Sequence, residues 1–324
     1  MTMRAALYET NGAARDVLRV TETAQPEPGP GQVRVHIAVS GLNPTDVKTR
    51  DGTTSGPIEQ FQIPHQDGAG AIDAVGEGVD PDRVGQRVWL WFTAKGHKWG
   101  SAAEWTVVDE HQAVPLPDGT SYDLGANLGV PAMTAYHCLF ADGPIDQHTV
   151  LVHGGAGAVG HFAIELAKRG GARVLTTVSS PAKAELAKQA GADHVVNYRD
   201  ADAAKQLSDI AGTVDRIIEV SLKQNLELDL TLSHAGTTIV TYAATGDFTL
   251  PVRACMSANV TLRFMLLYGV GSEALALAAT QVTEAVREGW LTALPSHRYN
   301  LADIAAAHEA QEEGVTGKIL VDPA

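Results

Sequence analysis

Residues 150–160 read VLVHGGAGAVG, and within them Gly155, Gly157 and Gly160 stand at the spacing G-x-G-x-x-G, with Ala156, Ala158 and Val159 between them. Val150, Leu151 and Val152 form a short aliphatic run suited to a buried strand. From His161 to Lys168 apolar residues recur at Phe162, Ile164 and Leu166, with no breaker before Gly170 and Gly171, as in a helix. A strand, a glycine turn and a helix in that order are the setting in which this spacing binds a dinucleotide. The first glycine permits the tight turn, the second lets backbone approach a pyrophosphate, and the third lets helix and strand pack closely. The helix N-terminus then offers unpaired N–H groups and the positive end of its dipole to the phosphates. The spacing alone is weak, because alanine- and glycine-rich turns are common; the flanking elements give it meaning.

The next strand bears on which dinucleotide. Arg173 to Val178 reads as a strand, and its end lies about 20 residues past the glycine turn, where an NAD site places an acid for the ribose 2′-hydroxyl. The chain instead continues Ser179, Ser180, Pro181, Ala182, Lys183. Hydroxyls and a lysine hold a 2′-phosphate, whereas an acid would repel it. Ser180 before Pro181 is also an ordinary helix N-cap with proline in the first turn. The two roles are compatible, and NADPH is the expected cofactor.

Bulk properties narrow the class. A chain of 324 residues suits two domains, and its 44% hydrophobic content can fill their cores. No apolar run approaches the ~18 residues of a membrane span, and MTMRAALYET lacks a signal-peptide hydrophobic region. The net charge of −14 argues against a nucleic-acid partner. Cys138 and Cys255, the only two cysteines, lie far apart in apolar surroundings and read as small hydrophobes. A cytoplasmic enzyme acting on small molecules is expected.

Residues 1–125 are strand- and turn-rich, with alternating segments such as Val33 to Ile37 and Gly85 to Trp89. Residues 126–268 alternate strand with helix: Val150 to Val152, Arg173 to Val178, His194 to Val196, Val214 to Val220, Thr237 to Tyr242 and Val260 to Tyr268 read as strands. That alternation predicts an α/β fold with a doubly wound parallel sheet. Residues 269–324 follow as a third stretch, with helices over 273–288 and 304–313 and a closing strand over 318–321.

Along its whole length the chain resembles the zinc-independent quinone oxidoreductase, or zeta-crystallin-like, branch of the medium-chain dehydrogenase/reductase superfamily. The residues that carry the resemblance include MRAALYETNG, PGPGQVRVHIAVSGLNPTDVKTRDG, PHQDGAGAIDAVGEGV, GVPAMTAYHCLF, VLVHGGAGAVG, AGADHVVNY, VDRIIEV and VTGKILV, in that order. The resemblance implies a β-rich GroES-like catalytic domain built from both ends of the chain, a Rossmann domain between, and a cleft holding the nicotinamide. Zinc members of the superfamily use a Cys, a His and a later Cys as catalytic ligands. Here the matching positions hold Asn43, Gln66 and Val130, and two cysteines cannot make a four-cysteine structural site. His65 and Asp67 flank Gln66 and are read as polar residues of a turn; no metal is expected.

Without zinc to stabilise an alkoxide, an electrophilic acceptor suits the chemistry: a quinone, or a double bond conjugated to a carbonyl. The resemblance carries cofactor contacts onto Ala156 to Val159, Ser179, Lys183, Tyr198, Asn225, Thr241, Tyr242, Ala243 and Ala244, and onto Phe264, Met265 and Leu266. Tyr198 reads equally as an aromatic closing the core. On the substrate side the candidates are Asn43, Asp46, Lys48, Thr134 and Lys318, the last also a candidate cofactor contact. Asn43 could bond a quinone oxygen or a cofactor ribose, and Thr134 the nicotinamide carboxamide. Lys48 departs from the tyrosine that family members often carry there. Trp89, Trp91, Trp99 and Trp105 are either a stacking wall or core. Reduction of enones, 2-alkenals or enoyl groups is the alternative activity, and an NADPH-binding sensor without turnover is a second. The family also implies a homodimer through the edge strand Val260 to Tyr268, an apolar edge that needs covering.

Lys183→Glu turns an expected charge-assisted contact with the 2′-phosphate into a repulsion. It should depress kcat/KM with NADPH far more than with NADH; an unchanged preference would remove Ser179, Ser180 and Lys183 from the phosphate site.

Overall fold

The computed structural model describes residues 1–54, 56, 58–244 and 246–324. They form two compact units, one of Met1–Val130 with Ala293–Ala324 and the other of Pro131–Thr292. The expected boundaries at 125/126 and 268/269 therefore move. The larger shift has a packing cause: the helix Ser272–Arg287 buries Leu275, Ala278, Ala279, Val282, Ala285 and Val286 within the second unit. It lies against the helix Met133–Phe140, and Arg169 pairs with Glu288 just beyond its end at 2.7 Å. Only after Thr292 does the chain rejoin the first unit.

The second unit holds six parallel strands among the described residues: β1 (Thr149–His153), β2 (Arg173–Val178), β3 (His194–Asn197), β4 (Val214–Glu219), β5 (Ser233–Thr241) and β6 (Thr261–Phe264). Their order is β3-β2-β1-β4-β5-β6, the doubly wound arrangement expected, with its switch point between β1 and β4. Strands buried on both faces read as continuous aliphatic runs, and Val150, Leu151, Val152, Ile217, Ile218, Ile239 and Val240 have almost no exposure. β6 is shorter than the expected Val260 to Tyr268. After Phe264 only the Met265 N–H continues the ladder, donating to the Thr241 carbonyl at 2.9 Å, and Leu267–Gly269 curls into a 3₁₀ turn. Met265 is buried while Phe264 and Leu266 are 70% and 66% exposed, and Leu262 packs on the core instead of joining an outer apolar row.

In the first unit the central strand is Gln32–Leu42. Asp67–Val75 pairs along one side of it; Trp105–Asp109 and Lys318–Asp322 share the other, one on each half. Val33, Val35 and Ile37 alternate into a core with Ile72, Val88 and Leu90, as a half-buried antiparallel strand requires. The register sets Ile319 opposite Leu42, so Lys318 arrives beside Asn43. No helix among the described residues is long and apolar enough to cross a membrane.

Candidate active site

In the second unit β1 ends at His153, and Gly154 bends the chain with φ +71°. The left-handed turn residue thus precedes the motif. Gly155, expected to make the turn, serves packing instead: a Cβ there would stand 2.1 Å from the Thr176 hydroxyl of β2. Gly160 fills the expected role, since its Cβ would meet the Gly154 carbonyl at 2.3 Å. Gly157 is exposed and caps the helix Ala158–Arg169, which has no side-chain cap and no acid in its first turn. Ala158 and Val159 are half-buried and Ala156 is buried. The first-turn N–H groups at this end fit a pyrophosphate.

At the end of β2 no acid intervenes between Val178 and Lys183. Ser180 is indeed the N-cap of Pro181–Gln189, its hydroxyl accepting from the Lys183 N–H at 3.4 Å. Ser179 and Lys183 are half-buried, and Lys183 has no ion-pair partner among the described residues. The Tyr198 N–H donates to the Val178 carbonyl at 2.9 Å, which sets Tyr198 beside this crest. Its ring is 54% exposed, so it does not close the core, and a flat exposed ring here suits stacking on adenine.

The remaining expected cofactor residues of this unit also lie at the carboxyl edge of the sheet, where open α/β sheets bind ligands. Thr241 to Ala244 leave β5, with the Tyr242 N–H on the Glu219 carbonyl, and Phe264 to Leu266 leave β6. Asn225 donates its amide to both Glu219 carboxylate oxygens at 3.1 Å. Behind it sits a buried group that the sequence does not single out. His153 Nε2 is 2.9 Å from Asp229 and 3.5 Å from Glu219, and its Nδ1 is 3.0 Å from the Thr177 hydroxyl. Burial alone would lower the imidazole; Asp229 and Glu219 overcome it and hold His153 above its ordinary value. The three groups lie within 4.8 Å of one another, but the His153–Asp229 contact is itself a hydrogen bond and leaves them paired together. The signal in the sequence is slight: a histidine just before the glycine turn and an acid closing the β4 strand. Thr134 is buried in the first turn of Met133–Phe140.

In the first unit the structure joins Asn43, Asp46 and Lys318, with Asp67, in one buried cluster. The Asn43 amide donates to Asp67 at 2.7 Å, and its oxygen accepts from the Lys318 ammonium at 2.7 Å. Asp46 accepts from the Asn43 N–H at 2.7 Å within the capping box that opens Pro44–Asp51, and Asp67 accepts from the Val130 N–H at 2.8 Å. Both ends of the Asn43 amide thus have partners inside the protein, and Lys318 is 2% exposed. Burial, then the neighbouring Asp67, pushes Asp46 up to about 8; burial pushes Asp67 up to about 6 against the pull of Lys318. Lys318 itself is lowered by burial, against both carboxylates.

Lys48 is half-buried and joins no ion pair among the described residues. His65, at φ +76°, turns its ring to Ser40 (2.8 Å) and His308 (3.1 Å), and Ser40 leads through Ser101 to the Asp67 carbonyl, while the Asp67 carboxylate serves Asn43. Asn43, Gln66 and Val130 are an amide, an amide and an aliphatic, a donor set that does not fit zinc. Trp89 and Trp91 are core, and Trp99 and Trp105 are partly buried against core residues of the same unit.

Comparison with known proteins agrees with both units. The family description "Alcohol dehydrogenase GroES-like domain" matches residues 29–118 and "Zinc-binding dehydrogenase" matches residues 158–283. A rat quinone oxidoreductase is 30% identical over 94% of this chain and 94% of its own length. The chain belongs to the quinone oxidoreductase family of medium-chain dehydrogenases/reductases. A human quinone oxidoreductase is 29% identical over 98% of this chain and 97% of its own. A mycobacterial structure described as complexed with NADPH superposes with a TM-score of 0.85 at 28% identity, covering 99% of this chain and 100% of that one. Like them, this quinone oxidoreductase family member is an oxidoreductase with a GroES-like and a Rossmann-like part.

Replacing Lys318 by Met leaves Asp46 and Asp67 without their cation. The loss of stability in urea unfolding should be roughly 3–5 kcal/mol near pH 8. Both carboxyls are raised on folding, so protonation favours the folded state and the penalty grows as pH rises through their folded values. The loss should shrink at pH 5; a loss equal at both pH values would show that the ammonium does not balance these acids.

Proposed function

We propose that the protein is an NADPH-dependent quinone reductase that works without zinc, as a homodimer. The observation that carries the cofactor choice is the end of β2, where Ser179, Ser180 and Lys183 stand in place of an acid. The bound dinucleotide supplies the hydride that a quinone accepts. The chain's own part is placement. The Ala158–Arg169 helix start and its glycine turn receive the pyrophosphate, and Lys183 with Ser179 the 2′-phosphate. Tyr198 stacks on the adenine, and Asn225 and Thr241 to Ala244 border the nicotinamide half. Lys48 is the candidate for the proton that follows, as a half-buried lysine that joins no ion pair among the described residues.

The donor set at Asn43, Gln66 and Val130 supports zinc-free turnover. Activity should survive exhaustive chelation, in a steady-state screen of quinones and conjugated enones with NADPH and NADH. Chelator-sensitive turnover would overturn the zinc-free reading. Reduction of enones with no quinone turnover would replace the quinone by an activated double bond.

For the dimer, β6 is paired only through β5 among the described residues, and Phe264 and Leu266 stand exposed beside it, with Val252 and Met256 exposed in the preceding helix. An open edge of this kind is covered in native proteins, and β6 of a second copy is the proposed cover. Because the Met265 N–H is engaged within the chain, proline there would damage the sheet itself and is no test. Light scattering at micromolar concentration should give twice the 34.1 kDa chain mass. A single-chain mass would refute the dimer.

A further inference from the structure

The buried group at the switch point has no part in the roles above. His153 closes β1 and Glu219 closes β4, neighbouring strands paired as far as Val152 and Ile218. Asp229 reaches the same point from the helix Leu222–Leu232. All three are essentially without exposure. Glu219 is held by the Ser221 N–H and by Asn225, whose amide nitrogen touches both carboxylate oxygens at 3.1 Å. A carboxylate offers acceptors only, so the NH₂ end of Asn225 must face it. The amide oxygen of this half-buried side chain is thereby turned away, with no partner among the described residues.

Charge counting adds a second feature. A protonated His153 with two ionised carboxylates would leave one uncompensated negative charge in the interior. One Asp229 oxygen, Oδ2, has no hydrogen-bond partner among the described residues. A proton on Glu219 directed at Asp229 removes the excess charge, while the other Glu219 oxygen still holds Asn225. The remaining polar groups around Glu219 are neutral or engaged elsewhere. Tyr242, from the end of β5, and Cys138, from the helix Met133–Phe140, are both pushed up by burial and stay protonated. Thr177 of β2 bonds His153, and Arg216 on β4 itself faces Asp142 and the Cys138 carbonyl.

We propose that Glu219 is the positioning residue that aims the Asn225 amide oxygen at the cofactor edge, and that the proton it shares with Asp229 makes cofactor affinity depend on pH. Burial, opposed by His153, places the Glu219 carboxyl at about 7, in the range where it titrates in use. A dinucleotide brings negative charge to the turn that directly follows His153, so binding favours the protonated, neutral group. Glu219 is then raised further in the complex. The affinity gain is present below the value in the free protein and is lost as pH rises through the value in the complex. The inference rests on nicotinamide dinucleotide binding at this sheet edge.

Calorimetric titration with NADH, which has no titrating 2′-phosphate, in buffers of different ionisation enthalpy reads the proton directly. The wild type should take up part of a proton near pH 7, and its Kd should weaken about tenfold between pH 6 and pH 8.5, the equivalent of one pKa unit. Glu219→Gln, an isostere of the protonated acid, should bind with wild-type low-pH affinity, without uptake and with a flat profile. Glu219→Ala should bind weakly at every pH, because Asn225 is released. Uptake that persists in Glu219→Gln, or a wild-type Kd flat with pH, would overturn the proposal. Failure of both NADH and NADPH to bind would instead remove the cofactor reading, and this inference with it.

Discussion

The first unit is organised around one ammonium. Lys318 has its charge in the interior, where an unpaired cation is prohibitively costly. It is tolerated because Asn43 accepts from it and Asp67 and Asp46 lie nearby. In return it draws down two carboxyls that burial alone would push further up. The arrangement fixes the register of the return strand against Gln32–Leu42 and the start of the helix Pro44–Asp51 through its capping box. It also binds the N–H of Val130, the last residue before the second unit begins. Asn43, Gln66 and Val130 are here the members and neighbours of a salt-linked core.

The second unit solves a different problem. Its sheet interior is largely apolar, with Arg216 and Thr176 as buried exceptions, and His153 and Glu219 stand at the carboxyl ends of their strands. The glycine turn there is close-packed on two sides, by Thr176 against Gly155 and by Gly154 against Gly160, and open on the third at Gly157. Rigid support and one exposed backbone face are what a charged ligand needs to be bound without rearrangement.

Much of this is legible in the sequence, for identifiable reasons. The strand–turn–helix around Gly155 to Gly160, the six-strand alternation and the serines and lysine after β2 are local patterns, and local patterns survive into the fold. What escapes is non-local. Nothing in the run VDRIIEV says that Glu219 will meet the later Asp229 and a histidine on another strand. Nothing in VTGKILV says that Lys318, directly after Gly317, will be interior. The misplaced boundary has the same origin: the helix Ser272–Arg287 carries an ordinary amphipathic pattern, and only its packing partner assigns it to a unit. Gly154 lies one residue before the motif spacing, and its left-handed backbone has no signature beyond the glycine itself.

The discontinuity of the first unit bears on how the chain is made. Translation delivers Asn43, Asp46 and Asp67 early, and then all of Pro131–Thr292, before Lys318 exists. The second unit is contiguous and can complete its sheet as it emerges. The first must wait with two acids lacking their cation and with one side of Gln32–Leu42 half unpaired. Its closure therefore spans a very long loop, slow by topology and exposed to aggregation in the interval. The strand Lys318–Asp322 acts as the latch of a unit whose first strands were synthesised long before.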